Sequence, residues 1–206
     1  MEFFLFGIVG YLLGSVPTAV WVGKTYYKVD IREQGSKNAG ATNTFRVLGK
    51  KAGIIVLAVD IVKGAFAVLA PFLLGIADWG TDFLIHLQLV AGTSAVLGHI
   101  FPLFARFKGG KGVATSLGII TGIHPLAALT CLTIFLIVFI ISSYVSLGAI
   151  VAAVSFPLVV IFMFGNQNNS LTVFSILLSV AVILAHRKNI KRILNGNENK
   201  MNLFKK

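Results

Sequence analysis

The sequence predicts an all-α, polytopic integral membrane protein, and three observations carry that prediction. Hydrophobic residues make up 56% of the 206, and charged residues only 12%, about half the charged share of a soluble domain. The apolar runs approach or exceed the ~20 residues with which a helix crosses a bilayer. Lys and Arg are segregated: seven lie in 24–52, three in 104–112 and seven in 186–206, with Lys63 the remaining one. Such clustering marks loops kept on one side of a membrane. The net charge of +11 then reports orientation and contact with anionic headgroups, and no nucleic-acid partner is expected.

The first apolar run covers residues 3–23. Met1 and Glu2 supply no positive n-region, so no cleaved secretory signal is expected. Gly14-Ser15-Val16-Pro17 breaks its second half. A proline there frees a backbone carbonyl, which matters only where the helix faces protein or water; a plain kink and a site element both fit. The first polar segment, 24–52, follows. The second span, 53–75, carries Asp60 and Lys63, three residues apart and so neighbours on one helix face. A carboxylate and an amine inside a span are costly alone and cheaper as a pair. A structural brace and a functional pair fit equally well.

Residues 76–82 hold Asp78 and Asp82 and neither Lys nor Arg. The third span, 83–101, leads into a second polar island at 98–115. A weak fourth span, 113–125, is rich in Thr, Ser and Gly and ends at His124-Pro125. The fifth, 126–142, ends at Ser142-Ser143. The sixth covers 145–165, and the turn Asn166-Gln167-Asn168-Asn169 carries no charge. The seventh, 170–186, opens a third island at 185–198 and a short basic tail. With positive charge on the cytoplasmic side, the N-terminus lies outside, the C-terminus is cytoplasmic, and the span count is odd. About seven transmembrane helices are expected, with five as the other odd count. The whole chain, 1–206, reads as a single membrane-embedded domain. Cys131, the one cysteine, sits in an apolar run as a buried inert thiol.

The polar islands share one face in this topology. The first contains Gly35-Ser36-Lys37-Asn38-Ala39-Gly40-Ala41-Thr42-Asn43 and Arg46. Gly35 and Gly40 are expected to turn through positive φ, Ser36, Asn38, Thr42 and Asn43 to offer side-chain donors, and successive backbone N–H groups to form an anion nest. The islands are poor in carboxylate: Asp30, Glu33 and Glu198, with Asp60 just inside. That composition suits phosphate and is poor for Mg²⁺. The four histidines, at 86, 99, 124 and 186, lack zinc-ligand spacing, so no metal and no cofactor are expected. Gly109-Gly110-Lys111-Gly112 is not a P-loop, because Arg106 stands where the first glycine belongs and Gly112 where Ser or Thr would hold Mg²⁺. The His-x4-Asp pattern of thioester-using acyltransferases and the paired aspartates of CDP-alcohol transferases are both missing.

The three islands resemble the three signature motifs of the bacterial acyl-phosphate:glycerol-3-phosphate acyltransferases, the PlsY family. The first resembles Gly35-Ser36-x-Asn38-x-Gly40-Ala41-Thr42-Asn43 with Arg46. The second resembles Gly98-His99-x-Phe101-Pro102 through Phe107-x-Gly109-Gly110-Lys111-Gly112-Val113-Ala114-Thr115. The third resembles His186-Arg187-x-Asn189-Ile190-x-Arg192 with Gly196 and Glu198. Gly14-Ser15-x-Pro17 and Asp60-x2-Lys63-Gly64 also fit. Lys37 departs from the pattern, since many members carry Gly there.

The resemblance implies transfer of a fatty acyl group from acyl phosphate to the 1-hydroxyl of sn-glycerol 3-phosphate, giving lysophosphatidic acid and phosphate at the start of phospholipid biosynthesis. The enzyme that supplies acyl phosphate becomes a candidate partner, alongside membrane lipids. The location implied is the bacterial cytoplasmic membrane. The 36–43 loop would cradle one phosphate, while Lys111 and Arg46 neutralise phosphate charge. His186 and Asn189 would position the acceptor near Ser142 or Ser143. The general base is His186 or a substrate phosphate oxygen. Ser36 fits phosphate binding better than covalent catalysis, since no base is identifiable beside it. Gly109, Gly110 and Gly112 belong to the phosphate site. Asp60, Lys63 and Glu198 are structural groups near it, and His99 is read as structural. The rival reading is an organic-phosphate transporter, which Asp60, Lys63 and broken helices would suit. Against it stand the lack of a repeat and the clustering of polar groups at one face. A membrane-assembly protein would not need three polar motifs.

Overall fold

The computed structural model describes residues 1–163 and 169–201, and among them the ordered elements are all helical. The chain divides into two compact units, Met1–His124 and Pro125–Lys206.

The first unit begins with α1 (Glu2–Gly14) and α2 (Thr18–Tyr27), separated by the expected break at Pro17. The first polar segment contains α3 (Ala41–Leu48), a helix too short for the apolar pattern to announce. It is followed by α4 (Lys50–Leu73), α5 (Asp82–Ile100), a single 3-10 turn (Leu103–Ala105) and α6 (Val113–Ile123).

Small residues let these helices approach closely, as in membrane bundles generally. A side chain at Gly10 would strike the Ala91 carbonyl, one at Gly14 the Ala95 carbonyl, and one at Gly98 the Tyr11 carbonyl. Residue numbers rise together along this contact, so α1 and α5 run in the same direction. Gly64 meets Thr115, Gly118 meets Ile61 and Ala65, and Gly122 meets Val68. Thus α6 runs in the same direction as the later half of α4. Two apolar clusters fill the space between: Phe6 with Ala70, Leu84, Leu87 and Ala91, and Ile31 with Ala19, Val20, Ala39, Val56 and Ala105.

The second unit holds α7 (Pro125–Ser142), α8 (Val145–Leu158), a π turn (Val159–Met163), α9 (Asn169–Ala185) and α10 (Arg187–Leu194). Pro125 opens α7, where its missing N–H costs nothing. Pro157 withholds an N–H from the last turn of α8, just before the π turn. Gly148 lets α8 approach the Phe135 carbonyl and ring. Large apolar side chains point outward, among them Val62 and Phe66 on α4 and Ile140 and Ile141 on α7, as lipid-facing helices require.

Five segments are long and apolar enough to cross a membrane: Glu2–Tyr27, Lys50–Leu73, Asp82–Ala105, Pro125–Ser142 and Val145–Met163. Helices α9 and α10, bent by 60°, make a sixth if counted as one span. The predicted fourth span is α6, whose 11 residues reach about 16 Å against the ~30 Å of a hydrocarbon core. The uncharged turn at 166–169 lies, apart from Asn169, outside the described residues.

Candidate active site

The first glycine motif is a loop closed by its own asparagine. Asn43, buried in the first turn of α3, accepts the Ser36 backbone N–H on Oδ1 at 2.8 Å. Its Nδ2 donates to the carbonyls of Ile31 and Gln34, both at 3.0 Å. The Asn43 amide therefore serves the loop's own carbonyls, where the sequence suggested a donor for a ligand. Gly35 turns at φ +57° and Lys37 at φ +59°; the second is a conformation that strains a non-glycine residue by about 1–3 kcal/mol. Gly40 corrects another expectation. Its φ is −137°, ordinary extended backbone at the start of α3, and what favours glycine there is space, since a Cβ would sit 3.0 Å from Asn38 Oδ1. Ser36, Asn38, Ala41 and Thr42 are half-buried, and Lys37 and Arg46 are exposed.

Asp30 braces this loop from below. It accepts Arg32 Nε at 2.9 Å and Nη2 at 2.7 Å, and pairs with Lys24 at 3.1 Å. Arg32 Nη1 donates to the Ala105 carbonyl at 2.9 Å, which ties the first island to the turn after α5. The Arg32 guanidinium holds the Asp30 carboxyl well below the usual carboxylate range.

The second motif folds back onto the end of α5. Arg106 and Phe107 both adopt left-handed backbone, φ 55° and 57°, and reverse the chain. The Phe107 N–H donates to the Pro102 carbonyl at 2.8 Å, Gly109 to Ile100 at 3.2 Å and Gly110 to His99 at 3.1 Å. These two glycine N–H groups are thus engaged by α5. The glycines answer to space: a side chain at Gly109 would strike the His99 carbonyl, and one at Gly110 would strike His99 Nε2. The same Cβ at Gly110 would lie 3.1 Å from the Ala39 carbonyl, so the second motif rests against the first. Gly112, at φ 79°, starts α6. Between the glycines Lys111 is half-buried, whereas Lys108 is exposed.

Beside this loop lies a buried polar cluster. Asp60 Oδ1 accepts Lys63 Nζ at 2.8 Å and the Thr18 hydroxyl at 3.1 Å, and His99 Nδ1 lies 3.8 Å from it. Lys63 also donates to the Val16 carbonyl at 2.9 Å, which the break at Pro17 makes available. His99 Nδ1 is 3.1 Å from the Thr115 hydroxyl. All five side chains are buried. With Ala39, Gly109 and Gly110, four of them (Thr18, Asp60, Lys63 and His99) line a narrow cleft.

In the second unit, Glu198 gathers the third motif. Its Oε1 accepts Asn189 Nδ2 at 2.7 Å and the Ser146 hydroxyl at 2.9 Å, and its Oε2 accepts Arg192 Nε at 2.6 Å. Burial alone would raise its pKa, but the bonds from Arg192, Asn189 and Ser146 together hold it below the ordinary carboxylate value. The backbone N–H of Met201 donates to the Ser143 carbonyl at 2.9 Å. Ser143 is left-handed at φ 61°. Ser142 donates to the Val138 carbonyl at 2.6 Å and accepts the Tyr144 N–H at 3.1 Å. His186, buried, places Nδ1 2.8 Å from the Val182 carbonyl. With Nδ1 as donor to that carbonyl, the lone pair of the neutral ring lies on Nε2.

Among the described residues no three of His, Cys, Asp and Glu converge as metal ligands. The carboxylates Asp30, Asp60 and Glu198 are each paired with a cation, and the cations, hydroxyls and amides around them suit an anion. Fold and polar motifs define a class: a polytopic helical membrane protein with cation-bearing glycine loops beside a buried polar cleft. The sequence matches the family model for glycerol-3-phosphate acyltransferase over residues 4–196. The chain belongs to that family. It is 44% identical to a glycerol-3-phosphate acyltransferase of Salinibacter ruber, covering 96% of this chain and 91% of that one. It is 41% identical to one of Chlorobaculum tepidum, covering 97% and 96%. A crystal structure of PlsY, an integral membrane glycerol 3-phosphate acyltransferase in its glycerol 3-phosphate form, superposes with TM-score 0.86 at 36% identity over the whole of both chains. The lysophosphatidic acid form of the same enzyme superposes with TM-score 0.83.

Reading the sequence passed over Thr18, gave Asp30, Arg32 and Thr115 no individual role, and left His99 as merely structural. One signal was present: Asp60 and Lys63 inside a span need further partners, and His99 and Thr115 lie in the motif that folds nearest them.

Proposed function

We propose that this chain, acting over 1–206 as one membrane-embedded acyltransferase domain, transfers a fatty acyl group from acyl phosphate to the 1-hydroxyl of sn-glycerol 3-phosphate. The hydroxyl oxygen attacks the acyl carbon, the bond from that carbon to the phosphate oxygen breaks, and lysophosphatidic acid and phosphate leave. The donor is a mixed anhydride and already activated, so the protein's task is alignment and charge stabilisation. The observation that carries the reading is the contact of Gly110 with His99 and Ala39, which sets the loop bearing Lys111 against the first motif.

In this reading Ser36, Asn38 and Thr42 cradle phosphate with the backbone of residues 35–43, and Asn43 keeps the cradle's shape. Gly40 and Ala41 admit phosphate to the start of α3. Lys111 and Arg46 neutralise its charge, and Gly109, Gly110 and Gly112 give it room. His186 and Asn189 position the acceptor, with Ser142 and Ser143 close by in sequence to the Ser146 hydroxyl that Glu198 holds. The hydroxyl proton passes to His186 or to a substrate phosphate oxygen. Asp60 and Lys63 brace the cleft; their mutual bond and their bonds to Thr18 and Val16 favour that role over carrying cargo.

The same reading places the chain in a bacterial cytoplasmic membrane with seven crossings, its N-terminus outside and its polar motifs and C-terminus on the cytoplasmic face. Three features support it. The Lys and Arg clusters favour that face. Helices α1 and α5 share one direction and α4 and α6 share one. Gly112 lies beside Val96, whose side chain would stand 3.2 Å from a Cβ there, so α6 begins about one turn back from the end of α5, which favours a short crossing by α6. The enzyme that makes acyl phosphate is a partner by supply.

The test is turnover by the purified protein in EDTA, with acyl phosphate or acyl-CoA as donor. Lysophosphatidic acid formed only from acyl phosphate, with one phosphate released per product, supports the reading. Activity that requires Mg²⁺, or that acyl-CoA sustains equally, contradicts it.

A further inference from the structure

The geometry points to His99 as the positioning residue for Lys111, acting through both ends of the segment 110–115. The inference rests on the phosphate-binding role proposed for Lys111. At one end, the His99 carbonyl accepts the Gly110 N–H at 3.1 Å, and Nε2 fills the space that a side chain at Gly110 would occupy. At the other end, Nδ1 meets the Thr115 hydroxyl at 3.1 Å. Lys111 lies on the short stretch between these anchors, and the left-handed Gly112 follows it.

A fixed carboxylate stands beside the imidazole: Asp60 Oδ1 lies 3.8 Å from Nδ1 and is itself bonded by Lys63 and Thr18. Lys63 in turn bonds the Val16 carbonyl at the break between α1 and α2. A buried neutral histidine has a donor and an acceptor nitrogen to place; here Nδ1 meets the Thr115 hydroxyl of α6, Nε2 faces Gly110 of the glycine loop, and Asp60 of α4 stands beside the ring. A polar group desolvated in a membrane helix is costly unless it is fully used, and here the contacts fall on either side of Lys111, at the Gly110 backbone and the Thr115 hydroxyl. His99 therefore acts on the reaction by placing an ammonium group, with no proton transferred.

A double-mutant cycle separates this role from bulk stability, because residues acting through one group are non-additive. The quantity is kcat/KM for glycerol 3-phosphate and for acyl phosphate, with the thermal midpoint of each detergent-purified variant. His99→Ala is expected to lower kcat/KM by about 10- to 100-fold beside Lys111, and by less than about 3-fold in a Lys111→Ala background. Thr115→Val, which keeps shape and removes only the hydroxyl, is expected to follow the same pattern with a loss of about 3- to 10-fold. It carries the test should His99→Ala fail to fold. Equal losses in both backgrounds would make His99 a structural residue only and overturn the inference while leaving the Lys111 reading intact. A Lys111→Ala enzyme as active as its parent would overturn the phosphate reading, and this inference with it.

Discussion

The backbone N–H of Ser36 donates to Asn43 Oδ1 across 2.8 Å, which closes the first glycine motif on itself. The loop's shape is therefore built into the protein, a preorganisation that suits a site whose task is to stabilise developing charge. Asn43→Ala removes this bond and leaves the Ile31 and Gln34 carbonyls without their donor, at about 1–3 kcal/mol for each group left unsatisfied. Asn43→Asp keeps the Ser36 contact but turns a negative oxygen toward those carbonyls, so it should fare no better. Both variants are expected to raise KM for substrate and to speed proteolysis within 28–40. Wild-type cleavage rates in both would contradict the clasp.

The Asp60 and Lys63 pair is buried and satisfied on both sides. Asp60→Ala strands a buried ammonium group and is expected to cost about 3–5 kcal/mol. The double variant Asp60→Leu/Lys63→Met removes both charges and should recover most of that loss. Thermal unfolding in detergent measures it. A double variant as unstable as Asp60→Ala would show that the pair's value lies elsewhere than in mutual neutralisation.

Glu198 sets an acid limit on the second unit. Its folded pKa lies below the ordinary 4.5. Its stabilising contribution is therefore complete above about pH 4.5 and is lost as pH falls through the folded value. Wild-type protein is expected to lose thermal stability progressively below pH 4.5, and Glu198→Gln to show a shallower acid slope. Parallel pH profiles would remove Glu198 from the account.

Sidedness is open to direct labelling. Single cysteines replacing the exposed Lys37, Lys108 and Asn197, in a background without Cys131, should resist an impermeant thiol reagent applied to intact cells. Labelling of any of the three from outside would overturn the topology.

Most of the spans were legible in the sequence because apolar runs and loop charge respond to the same bilayer. The break at Pro17 and the pairing of Asp60 with Lys63 were legible too, being local. Helix α3 was not, because its eight residues sit inside a polar stretch and gain their stability from Val47 and Leu48 packing against the apolar cluster that contains Ile31 and Val56. The short reach of α6 was legible in part, since 113–125 read as a weak span, but an apolar run of Thr, Ser and Gly looks much the same whether or not it crosses a whole bilayer. In the site, residue types pointed to anions, but the division of labour depends on tertiary contacts. Asn43 looks like a ligand donor until its carbonyl partners are seen. Gly110 looks like a source of backbone N–H until the His99 carbonyl is found accepting it. Arg32 is one cation among seven in its segment until Asp30 and Ala105 fix it.

The central claim, that a glycine-bracketed ammonium neutralises substrate phosphate, is tested most directly by comparing two neighbouring lysines. Lys111→Ala should cost about 2–5 kcal/mol of transition-state stabilisation, by analogy with truncating one partner of a desolvated charge pair. That is roughly 30- to several-thousand-fold in kcat/KM. Lys108, exposed and outside the glycines, should cost less than about 1 kcal/mol when replaced by Ala. Measured on folded, purified variants with acyl phosphate and glycerol 3-phosphate, a large loss for Lys111→Ala alone is the predicted result. Equal small losses for the two would contradict it, leaving Lys111 a membrane-surface charge like its neighbour.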